Sequence, residues 1–200
     1  MKHAKKNRAM ISAAVLAIAA TAAVACSTSP NAAGTTASSK TPAAKGAPAN
    51  LTDGNEVNSL LSSGLKQADK KSWSAATTTF QKVLTLSPGN VYANYDLGWI
   101  AQSTGKSNEA VSYYKKCLAA NAAYTPAMYN EAILLEASQP QQAIAVYGKI
   151  VSIDPKASTA YLRMALVQAE QGDAADAKAN DAKAVSLDPA LSKYKLPAKN

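Results

Sequence analysis

The chain has 200 residues, 48% of them hydrophobic, with one Phe, nine Tyr and two Trp, and a formal net charge of +8. That length fits one domain with extensions, and an alanine-rich, aromatic-poor composition favours helices over sheets. Four basic residues, Lys2, Lys5, Lys6 and Arg8, lie at the extreme N-terminus; beyond residue 25, 17 basic and 13 acidic residues leave +4, with the lysines dispersed. No basic patch interleaved with aromatics exists, which excludes a nucleic-acid binder.

Residues 1–25 read as an export signal. The basic start is followed by sixteen uncharged residues, Met10 to Ala25, in which only Ser12 and Thr21 are polar. A spanning helix needs about 20 such residues, so the run fits the apolar core of a secretory signal. Ala23-Val24-Ala25-Cys26-Ser27 resembles a bacterial lipobox, with Ala23 where that motif prefers Leu. The resemblance implies that Cys26 is lipidated and becomes the first residue of the mature chain, held at a membrane by its acyl chains. Two other readings stay open: an uncleaved anchor, and ordinary signal-peptidase cleavage before Cys26, which would release a secreted protein. Residues 26–55 are rich in Ser, Thr, Ala, Gly, Pro and Asn. They bury too little to order themselves, and read as a flexible tether reaching roughly 30 Å.

From residue 57 the sequence repeats. Pro88 and Pro155 are 67 residues apart and Pro155 and Pro189 are 34, with Ala122 standing where a proline would divide the longer interval. The segments 57–90, 91–124, 125–157 and 158–191 align once one deletion is allowed in the third. Their eighth position reads Gly64, Gly98, Ala132, Ala165, and the twentieth Ala76, Ala110, Ala143, Ala177. Four residues later come Phe80, Tyr114, Tyr147 and Asp181. Small side chains at helix crossings with a large aromatic beside them are what close helix packing needs. The pattern resembles the tetratricopeptide repeat family over residues 57–191. Leu97-Gly98 with Ala110 and Tyr114, Gly64 with Ala76, Phe80 and Pro88, and Ala165 with Ala177 and Pro189 carry it. The resemblance implies an all-α, right-handed superhelical solenoid of about four helix-turn-helix repeats over 56–191, after a disordered tether and before a tail at 192–200. Asp181 in place of an aromatic fits a polar outer cap on the last repeat.

Gly105-Lys106-Ser107 looks like the end of a phosphate-binding loop, but such a loop needs a glycine at position 100, where Ile100 stands, and a preceding strand. It reads instead as the turn inside the second repeat, equivalent to Gln171-Gly172-Asp173. In both, glycine ends one helix and Ser107 or Asp173 is expected to cap the next. The sole histidine, His3, lies in the signal. The remaining chain therefore lacks the commonest general base and metal ligand, and neither a catalytic centre, a metal site nor a cofactor is expected. Cys117 reads as a small packing side chain.

The resemblance implies that the first helix of each repeat lines the concave face. On those helices the fifth position reads Leu61, Tyr95, Tyr129, Leu162 and the ninth Leu65, Trp99, Ile133, Leu166. Residues four apart share a helical face, so these eight form an apolar column suited to a partner's hydrophobic segment. Asp69, Asp96, Glu136 and Glu170 are expected as an acidic rim. The family's carboxylate clamp uses Lys and Asn at these columns, so that mode of binding is not expected here. The reading is a non-enzymatic adaptor, exported and lipid-anchored on the outer face of a cell membrane, that binds a protein or peptide of the bacterial envelope. The alternatives are a structural protein whose groove is filled by its own tail (Leu191, Tyr194, Leu196) or by a second protomer, and a carrier of small ligands or lipids.

Overall fold

The computed structural model describes residues 51–197, so the signal segment and Cys26 lie outside the described residues, as does nearly all of the tether. The described residues form eight α-helices: α1 Leu51–Asp69, α2 Trp73–Leu86, α3 Val91–Ser103, α4 Ser107–Ala120, α5 Thr125–Leu135, α6 Pro140–Ile153, α7 Ser158–Gln171 and α8 Ala174–Leu187. A 3-10 turn, Pro189–Lys193, follows. No strand occurs among them. The first helix starts at Leu51, so its first turn occupies residues read from composition as tether.

Each helix packs on the next in the chain, giving four hairpins stacked in order. In addition α1 touches α3 and α3 touches α5, while the second helices of successive hairpins make no comparable contact. The first helices therefore lie on the tighter, inner curve of an all-α repeat solenoid.

Local chemistry explains the punctuation. Asn90 caps α3 by accepting a hydrogen bond from the Ala93 amide at 2.9 Å. Pro126 and Pro140 sit in the first turns of α5 and α6, where a missing N–H costs nothing. Three of the four hairpin turns close alike: Ser72, Lys106 and Asp173 amides donate back to the carbonyls of Gln67, Ala101 and Gln168 at 2.8–2.9 Å. That closure needs a left-handed residue one position earlier. Gly105 (φ 78°) and Gly172 (φ 91°) supply it in the second and fourth repeats, and Lys71 (φ 56°) in the first. The third repeat, one residue shorter, has no such residue. The expected side-chain caps are absent: α4 and α8 begin with no side-chain hydrogen bond from Ser107 or Asp173. Backbone carbonyls carry these starts instead, with Ala110 and Ala177 amides donating to Lys106 and Asp173.

The crossings are as tight as the small-residue columns require. A Cβ added at Gly64 would stand 2.7 Å from the Phe80 ring, and one at Gly98 would stand 2.6 Å from the Tyr114 ring. Every repeat also carries a polar latch between its helices. Thr79 donates to Gln67, Tyr114 to Gln102, Tyr147 to Glu136 and Asn180 to Gln168, all at 2.7–2.8 Å.

Candidate functional site: the inner face

The eight residues expected to form one column separate into two groups. Leu65 is 47% exposed, and Leu61, Tyr95, Trp99, Tyr129 and Ile133 are partly buried. Leu162 and Leu166 are buried and cannot meet a partner in this state. Their helix, α7, is enclosed: it packs against both α6 and α8, and every side chain from Leu162 to Gln168 is buried. The 3-10 turn packs on α8 and buries Leu191. Burial above all pushes the Tyr129 hydroxyl's pKa upward, with Tyr194, just past the turn, adding a little.

The open half lies on α1 and α3. Trp99 packs edge-on against Trp73 of the first repeat, with ring centroids 5.4 Å apart, and so joins the first hairpin to the second as well as facing the trough. Tyr95 stacks edge-on against Tyr124 at 5.4 Å and tilts against Tyr114 at 6.1 Å. These two aromatics are partly structural. Tyr92, 57% exposed, was not among the expected residues. It occupies the second repeat position, seven residues before Trp99, and so shares its face.

The acidic rim does not form as expected. Glu136 sits at the junction of the third and fourth repeats, where Arg163 Nε donates to its Oε1 at 2.7 Å and Tyr147 Oη donates to the same oxygen at 2.7 Å. Arg163 itself is only 2% exposed, and its Nη1 has no hydrogen-bond partner. Asp96 is in the trough rather than on its edge. Desolvation by burial, and then the charge of Asp69, push its carboxyl up to about 7. Asp69 and Glu170 are exposed. Asp181 is no solvated cap either: it is half-buried, and one carboxylate oxygen is buried with no hydrogen-bond partner.

Reading the columns for large apolar residues missed the sixth repeat position. It runs Ser62, Asp96, Asn130, Arg163, a polar stripe beside the apolar one. Asn130 is buried and donates to Tyr95 Oη at 3.4 Å. The signal was present in the same alignment: a polar residue in every repeat, next to an all-apolar column.

Among the described residues no cluster of three metal-ligating side chains exists, and no helix is long and apolar enough to cross a membrane. Cys117 is buried, and burial and Asp96 push its thiol up to about 11, which makes it a packing group rather than a nucleophile.

Stacked helical hairpins with small residues at each crossing define the class, an α-helical repeat solenoid built to present an inner face. Residues 91–124 and residues 134–179 each match tetratricopeptide repeat models, and the chain is a tetratricopeptide repeat protein. Among curated proteins none matches. Among solved structures, MamA is 25% identical with a TM-score of 0.61, over 74% of this chain and 82% of that one. PilF of Pseudomonas aeruginosa is 19% identical with a TM-score of 0.63, over 70% and 66%. YrrB, described as a TPR protein with an unusual peptide-binding site, is 18% identical with a TM-score of 0.59, over 68% and 72%. The last two similarities speak to the fold alone.

Proposed function

We propose that this protein is an exported adaptor, tethered to a membrane through a lipidated Cys26, whose inner face holds a segment of a partner protein of the bacterial envelope. The repeat architecture is a protein-interaction scaffold. One observation carries the rest of the binding reading: Leu65 and Tyr92, about half exposed, stand on the inner helices beside Trp99. Of the four exposed large apolar side chains among the described residues, these two lie on first helices, while Leu86 and Ile153 lie at the C-terminal ends of α2 and α6. Exposed apolar side chains that adjoin partly buried aromatics mark an interaction site.

Two measurements test it. A photo-cross-linker at position 92 or 65 should capture a discrete partner in cells, and one at exposed Lys82 on α2 should not. Cys26→Ala should move the protein from the detergent phase to the aqueous phase on Triton X-114 partitioning. Equal capture from both faces would sink the adaptor reading, and unchanged partitioning would sink the anchor.

A second reading has its own observation. Leu162 and Leu166 are buried and the 3-10 turn packs on α8, so the C-terminal half offers no open apolar column, and the chain's own last residues are the nearest segment that could cover it. A partner segment would then occupy only the half on α1, α3 and α5.

A further inference from the structure

We propose that Asp96 selects the partner: it receives the ammonium or guanidinium group of a Lys or Arg on the bound segment, while the flanking side chains of that segment lie on Tyr92, Trp99 and Leu65. This rests on the inner face being the binding surface, and adds the chemistry of the occupant.

Tyr92, Asp96 and Trp99 are spaced i, i+4, i+7 on α3 and form one stripe. Asp96 is half-buried, yet no hydrogen bond or ion pair reaches it from the described residues. The other carboxylates in the middle of the stack are compensated. Burial raises the Glu131 carboxyl, but Lys115 and Lys149 offset part of that, and Arg163 and Tyr147 bind Glu136. What faces Asp96 makes matters worse. The charge that acts on it from α1 is a second carboxylate, Asp69, and Tyr114 and Cys117 of α4, which interact with it, carry no positive charge. A carboxylate partly withdrawn from water without a partner is destabilised, and an incoming cation removes that cost. The aromatic rings beside it add cation–π attraction for the same group.

The outer face supports this choice of occupant by charge. Lys82, Lys116, Lys149 and Lys183 recur at one position of the four second helices, and all are exposed. A cationic segment is repelled there and drawn to the inner face, where Asp69 and Asp96 lie. An acidic or wholly apolar segment would leave Asp96 buried beside it without a counter-charge, which disfavours the wrong partner.

The test is selection of phage-displayed random dodecapeptides on the full chain, in parallel with D96N, a near-isosteric change whose fold is checked by circular dichroism. Wild type should enrich peptides with a Lys or Arg among apolar residues. Loss of the carboxylate should abolish the preference for a basic residue and weaken the best wild-type peptide at least about tenfold. Enrichment without a basic residue, or identical enrichment on both proteins, would overturn the role of Asp96 and leave the binding surface standing. No enrichment on either protein, as when the chain's own end or a second copy fills the trough, would overturn both. So would selected peptides indifferent to Tyr92→Ser.

Discussion

Lys71 and Asp96 show how far a repeat can depart from its neighbours at one position. Lys71 holds a left-handed φ of 56°, where the equivalent turns use Gly105 and Gly172. That conformation costs a residue with a Cβ about 1–2 kcal/mol, and the extra freedom glycine brings to the unfolded chain returns about half of it. Lys71→Gly should therefore raise stability by about 0.5–1 kcal/mol in urea unfolding; a loss would show that the turn is not strained. For Asp96 the argument runs through protons. The folded carboxyl holds its proton up to about pH 7, against 3.8 ordinarily, so the folded state binds more protons than the unfolded one between those values. Stability contributed by the protonated form is complete below about pH 4 and is lost as pH rises through 7. Because the side chain keeps some contact with water, the expected loss is about 1–2 kcal/mol. Asp96→Asn should flatten the fall in melting temperature between pH 5 and pH 8. Equal pH dependence in both proteins would mean that the carboxylate is well hydrated.

The helical hairpins were legible because their determinants recur. Gly64 and Gly98 opposite Phe80 and Tyr114 are each visible twice, and the period places them. The junction between the third and fourth hairpins was not legible, because it occurs once. Glu136 and Arg163 are 27 residues apart in different repeats, and nothing local links them. Burial of Leu162 and Leu166 was hidden for a related reason: it depends on how α6 and α8 enclose α7, not on α7's own pattern. The ion pair makes a testable joint. Removing one partner leaves a charge without compensation, so Arg163→Met should cost about 3 kcal/mol. Adding Glu136→Gln removes the stranded charge while keeping an acceptor for Tyr147, and should restore much of that loss. A double-mutant cycle in urea measures the coupling; additive effects would show that the two repeats are joined by packing alone.

In a stack of this kind each hairpin touches only its neighbours, so stability is local and the ends are weakest. The last hairpin is poorly built for its place. Helix α8 buries only Ala177 and Ala184, and Asp181 occupies the position held by Phe80, Tyr114 and Tyr147. The 3-10 turn packs on this helix, and Leu191 is the turn's one buried side chain. Leu191→Ala removes that side chain, at a cost of about 2 kcal/mol or more. Hydrogen exchange in α8 should then speed up about 30-fold, the equivalent of that energy. Exchange in α1 to α4 should not change, because two interfaces separate them from the lesion. Peptide binding at Tyr92 and Asp96 should likewise survive, since those residues belong to the second repeat. If instead α3 and α4 loosened together with α8, the eight helices would be one cooperative unit, and a partner bound at one end would be sensed at the other.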